Sequence, residues 1–187
     1  MTRLPYADPT QLAPDIAGAL SALPDLHLFG VVGHAETAFM PWLGLGGALL
    51  SSLSLDPALR ELVILQVAAS TGSDYERVQH DAIATSVGVS VEAVEAVVTG
   101  TLDAPELAES SPVLRVVDEL VRTHTTSEAG MSTLRSRLGD RASVEVLLVV
   151  GYYLGVAVLA DAVDLDPDPP AQMAVIVAAG GNTEEKS

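Results

Sequence analysis

A helix that is apolar nearly all the way round constrains this chain more than any other feature. From Pro57 to Ser70, the residues Leu59, Leu62, Val63, Ile64, Leu65, Val67, Ala68 and Ala69 leave little solvated face, and a helix of that kind is a buried one. The rest of the chain is helical in pattern as well. Ala and Leu recur at offsets of three and four between Gly and Pro punctuation, whereas strands would need alternating β-branched and aromatic residues. The spacing predicts an all-α, single-domain fold with helices over Pro9 to Leu20, Leu26 to His34, Ala35 to Ser51, Pro57 to Ser70, Asp74 to Val87, Val91 to Thr99, Pro112 to Thr123, Ser127 to Leu138 and Arg141 to Val163. Asp56-Pro57 and Ser90-Val91 read as a cap plus a first turn, and Gly72, Gly88 and Gly139 sit where a left-handed closing residue is wanted. With 49% apolar residues in 187, such a chain builds its core without a disulfide or a metal.

Charge and composition remove several classes of function. The net charge of −16, from 25 acidic and 9 basic residues, repels nucleic acid and anionic membranes, and no basic stripe reverses this. The chain has no cysteine, which excludes redox-thiol chemistry and thiolate metal ligands. No secretory signal is apparent at Met1 to Pro9, so a cytoplasmic protein is expected. The run Val146 to Ala160 is shorter than the roughly 20 apolar residues of a bilayer span, and Gly151, Tyr152, Tyr153 and Gly155 interrupt it. It reads as a core or subunit-interface helix. The helical domain is expected over 1–163, followed by an acidic, Pro-rich linker and an apolar segment, Ala171 to Ala179, that docks on the body or on a neighbouring subunit.

Two carboxylates and an imidazole fall on the two helices flanking Gly72. Glu61 lies in the enclosed helix, where loss of water raises a carboxyl pKa. On the next helix Asp74, Arg77, Asp81 and Thr85 form the polar stripe, while Glu76, His80, Ile83 and Val87 share another side. Near the helix amino terminus the macrodipole favours an ionised Glu76, so a protonated Glu61 and an ionised Glu76 would suit acid and base roles. Ser73-x-x-Glu76 is equally a capping box, in which the glutamate merely closes the helix start, and a lone histidine on a half-apolar stripe is more often structural than catalytic. His34, Glu61, Glu76 and His80 contain no HExxH-like histidine pair, so no metal is assigned to them.

Arg60-Glu61-Leu62-Val63-Ile64-Leu65, Thr71-Gly72-Ser73-Asp74-Tyr75-Glu76, Gln79-His80 and Gly151-Tyr152-Tyr153 resemble the motifs of the carboxymuconolactone decarboxylase and alkylhydroperoxidase D-like family. The similarity extends from about Leu4 to Val163. In the peroxidase branch two cysteines precede the histidine, at positions that correspond here to Ser73 and Glu76, so the chain resembles the cysteine-free, decarboxylase-like branch. That resemblance implies helices packed around a Glu/His pocket, cofactor-free proton chemistry and a homotrimer or homohexamer. It also implies decarboxylation of a lactone carrying carboxylates. Arg77 stands where similar proteins often carry Trp, and a charge of −16 is a poor field for a polyanion unless Arg60 or Arg77 offsets it.

These readings converge on a general acid–base enzyme acting on a small cyclic or carbonyl-bearing metabolite, by decarboxylation or a related lyase or isomerase step. His80 is the expected proton shuttle, Glu76 its tuning group, and Glu61 a buried acid or orienting group. His34, Tyr75, Arg77 and Tyr153 are the expected substrate contacts. The competing reading is a non-catalytic helical oligomer that binds a ligand or a protein. A cavity on which the three side chains converge favours the enzyme, and a collapsed constellation favours the scaffold.

Overall fold

The computed structural model describes residues 2–169, so the apolar Ala171 to Ala179 segment lies outside the described residues. Those that are described form an all-helical domain of eight α-helices: α1 Pro14–Ala22, α2 His27–Val32, α3 Glu36–Ser51, α4 Pro57–Thr71, α5 Asp74–Ser86, α6 Val91–Val98, α7 Ser111–Thr123 and α8 Glu128–Val163. The last is two helices meeting at Gly139, whose φ of 77° and ψ of 173° break the helical path. That break falls at the predicted stop. At the amino end the expected single helix from Pro9 is instead a short 3-10 turn, Pro9–Gln11, followed by α1. The physical reason is Pro14, which pushes the preceding Ala13 into an extended conformation, φ −57° and ψ 142°, and so separates the two pieces.

The enclosed helix is α4, and α5, α6, α7 and α8 all pack against it. Asp56 caps its start by accepting from the Leu59 amide at 3.0 Å, and Gly72 closes it in the left-handed conformation at φ 76°. Every residue from Arg60 to Ala68 is buried. Val63, Ile64, Leu65 and Val67 expose nothing, and full burial of such side chains stabilises by ~1.5–3 kcal/mol each. Because Gly72 folds the chain back within two residues of α5, Glu61 and the inner side of α5 are brought face to face.

A second apolar cluster joins Ile16, Leu26, Leu28, Phe29, Val32 and Phe39 to Val156 of α8. The carboxyl half of α8 serves both clusters, with Val146, Val149, Val150 and Tyr153 in the first. By length and composition α8 is apolar enough to cross a membrane, yet this face of it is core. Its other face is bare: Val144, Leu148, Gly151, Gly155 and Val158 are exposed at offsets of four, three, four and three, and Met40 and Leu45 are exposed on α3.

After α8 the chain folds back onto α2 and α5. The Tyr6 hydroxyl donates to Asp166 at 2.8 Å. Asp168, itself buried, accepts from the His27 amide at 3.0 Å and from the Tyr75 hydroxyl at 2.7 Å, and its carboxylate lies 2.8 Å from His27 Nδ1. Gln79 donates to the Asp168 carbonyl at 2.9 Å. Residues expected only to link the domain to a tail therefore form a clasp on it.

Candidate functional site

Where the two apolar clusters meet, a cavity of ≈ 190 Å³ remains, walled largely by Leu28, Phe29, Trp42, Leu43, Tyr152 and Val156. Glu76, Gln79 and His80 of α5 reach it from one side, with Tyr75 and Tyr153 beside them. Tyr153 meets the His80 ring edge to face, centroids 4.9 Å apart, and Trp42 stacks on Tyr152 at 5.1 Å. Tyr152 in turn needs Gly46, because a Cβ there would overlap its hydroxyl.

Behind His80 lies Glu61, fully buried, with Oε2 2.7 Å from His80 Nδ1. Arg60 grips the other carboxylate oxygen, Nε at 2.9 Å and Nη2 at 2.8 Å, and donates from Nη1 to the Leu50 carbonyl at 2.6 Å. Burial pushes the Glu61 carboxyl pKa up, but His80 and Arg60 outweigh it and hold the group below its ordinary value. An ionised Glu61 only accepts hydrogen bonds, so the Nδ1 of His80 carries the proton and donates. In the neutral imidazole, whose one proton then sits on Nδ1, Nε2 keeps a lone pair.

Glu76 behaves oppositely. Among the described residues, neither of its carboxyl oxygens has a hydrogen-bond partner. Burial, and next the charge of Asp161, push its pKa well above the ordinary carboxylate value. Ser73 does stand at the N-cap of α5, but its hydroxyl makes no cap bond and is itself unpartnered, so no capping box forms. The expected order is thus reversed: Glu61 is the carboxyl held toward its ionised form and Glu76 the one pushed toward its protonated form. The helix dipole at Glu76 is a local term that full desolvation overrides. The tuning partner of His80 is likewise corrected from Glu76 to Glu61.

Of the expected substrate contacts, Tyr75 and Tyr153 line the cavity, and His34 and Arg77 do not. His34 is exposed and its Nε2 lies 2.7 Å from the Pro5 carbonyl oxygen. Arg77 sits on the outer side of α5 between Asp74 at 3.3 Å and Asp81 at 3.5 Å. Both expectations failed because a motif position specifies a helix face only to within a turn. Sequence reasoning missed Trp42, Gln79 and the α2 wall, and it gave no role to His27, which helps hold the clasp. The one available signal was that Trp42 is the only tryptophan.

An all-helical subunit in which a carboxylate–imidazole pair backs onto an apolar cavity, with no thiol anywhere in the chain, defines the class: a cysteine-free protein of the alkylhydroperoxidase D-like fold. The model of the carboxymuconolactone decarboxylase family matches residues 37–119, the segment that carries Glu61, Glu76 and His80. Solved structures extend the fold to nearly the whole chain. An alkylhydroperoxidase AhpD core, an uncharacterized peroxidase-related protein from Ralstonia eutropha JMP134, is 18% identical over 96% of each chain with a TM-score of 0.76. An uncharacterized peroxidase-related protein from Silicibacter sp. TM1040 is 20% identical over 92% of this chain and 94% of its own, with a TM-score of 0.74. The debrominase Bmp8, in a variant form complexed with 2,3,4-tribromopyrrole, is 16% identical over 96% of each chain with a TM-score of 0.70. No curated protein matches the chain.

Proposed function

We propose that this chain is a thiol-independent general acid–base enzyme that enolises a small cyclic, carbonyl-bearing compound. The observation that carries the reading is the pairing, on one cavity, of an imidazole backed by a carboxyl held toward its ionised form with a buried, unpartnered carboxyl pushed toward its protonated form. His80 Nε2 takes a proton from the carbon next to the carbonyl, and Glu76 gives its proton to the carbonyl oxygen, so the product of the first half is a neutral enol. Returning the proton from His80 to a different carbon, and the hydroxyl proton to Glu76, completes an isomerisation with both groups restored. Glu61 holds the Nδ1 proton in place and stabilises the imidazolium that forms transiently. Binding of a small heterocycle by the structurally similar debrominase is consistent with a ring as ligand.

The test is deuterium wash-in. Wild-type protein in D2O, offered small cyclic ketones and lactones, is expected to exchange the proton next to the carbonyl of at least one of them ~10²-fold or more above buffer, as followed by NMR. If no ring that fits the cavity exchanges, the scaffold reading replaces this one.

We also propose that the subunit assembles as a trimer or hexamer through the bare face of α3 and α8. Its exposed Met40, Leu45, Val144, Leu148 and Val158 carry no charge on a chain of net charge −16, which keeps like-charge repulsion off the contact. Sedimentation at micromolar concentration is expected to show three or six copies, and monomer alone would overturn the assembly.

A further inference from the structure

We infer that the cavity selects uncharged single-ring compounds bearing one carbonyl group as hydrogen-bond acceptor, such as a cyclic ketone or a lactone without a carboxylate, and rejects their carboxylate-bearing counterparts. This rests on the reading of the cavity as the working site, and it fixes the class of compound that site takes.

Three observations carry it. First, size: ≈ 190 Å³ is of the order of the ~150 Å³ cavity that holds one benzene ring, so a single substituted ring fits. Second, the walls offer no unpaired positive charge, because the one basic side chain on them, His80, is already held against the Glu61 carboxylate at 2.7 Å. Among the described residues, the cavity is lined by no Arg or Lys. Arg60 is only 4% exposed, and Glu61 and the Leu50 carbonyl already occupy its guanidinium. Arg77 is held outside by Asp74 and Asp81. A carboxylate entering such a cavity loses its water and meets no cation that lacks a partner, which approaches the costly case of a buried unpaired charge.

Third, the polar groups are matched to a neutral acceptor. Glu76, 2% exposed and without a partner on either oxygen, supplies a single O–H donor in its protonated form. One accepting oxygen satisfies it. A second carboxylate at this place would stand beside both Glu76 and the charge of Asp161 that already bears on it.

Calorimetric titration with matched probes tests the inference: 2-cyclohexen-1-one and 2(5H)-furanone, each against the same ring bearing one carboxylate, at pH 7. Both neutral rings are expected to bind at least tenfold tighter than their anions. Glu76→Gln, which keeps a donor of the same length, retains neutral-ring affinity within about threefold, whereas Glu76→Leu weakens it about tenfold, the value of one hydrogen bond. Circular dichroism establishes that each variant is folded. Anions that bind as well as or better than the neutral rings overturn the inference, as does an unchanged affinity in Glu76→Leu or the absence of measurable binding by either neutral ring. The outcomes separate from those of the enzymatic reading. Neutral rings that bind without deuterium exchange remove the enzyme and leave the ligand class standing, while exchange confined to anionic rings does the reverse.

Discussion

His80→Gln is expected to lower the rate of proton exchange by about 10²- to 10⁴-fold, the usual cost of losing a general acid–base group, while the circular dichroism spectrum stays that of the wild type. Glutamine fills nearly the same volume, and its amide N–H can still donate to Glu61 Oε2, which His80 Nδ1 meets at 2.7 Å. The local packing and the partner of the buried carboxylate are therefore kept. What disappears is the ring nitrogen that takes up and returns the proton. A variant that retains full exchange on a compound the wild type processes would make His80 structural and move the chemistry to the glutamates.

Glu61→Ala should act on the fold itself. Arg60 is buried, and apart from Glu61 its guanidinium has one recorded partner, the Leu50 carbonyl. Removing the carboxylate strands that cation in the buried first turn of α4, and breaking a buried pair from one side costs about 3–5 kcal/mol. Chemical denaturation at pH 7 measures this directly. Glu61→Gln, which keeps the volume and one acceptor, should lose less. The pH dependence has a definite sign. Since the folded-state pKa of Glu61 lies below its unfolded value, the unfolded chain takes up the proton first as pH falls. The stability contributed by the carboxylate is therefore complete above the ordinary carboxylate range and is lost as pH drops through the folded-state value. The gap between wild type and Glu61→Gln should close in acid. A gap that stays constant from pH 7 to pH 3 would mean that Glu61 is not ionised in the native state.

Much of the helical layout was legible because periodicity and punctuation act locally: Gly72 and Gly139 both carry positive φ, and α4 is as enclosed as its composition implies. The site was legible in membership more than in electrostatics. Residues 60 and 61 do not face each other on an ideal helix surface, so nothing in the spacing announced that Arg60 would turn back on Glu61 and hold it ionised. Glu76 misled in the opposite way. Its offset from Ser73 satisfies a local capping rule, but the side chain lies on the α5 side that meets the cavity, where burial decides its charge. Asp168 sits in an Asp-Pro run with no period at all, and its role depends on His27, Tyr75 and Gln79, which only the tertiary fold brings near.

The stack of Trp42 on Tyr152 has a practical consequence. Because the chain contains a single tryptophan and that indole forms part of the cavity wall, ultraviolet emission excited in the indole band comes from one place in the molecule. A ring entering the cavity must displace water from that indole or press against it, so intensity and wavelength become a label-free gauge of occupancy. With no other indole to subtract, this protein can be screened against unlabelled compounds using the light it already emits.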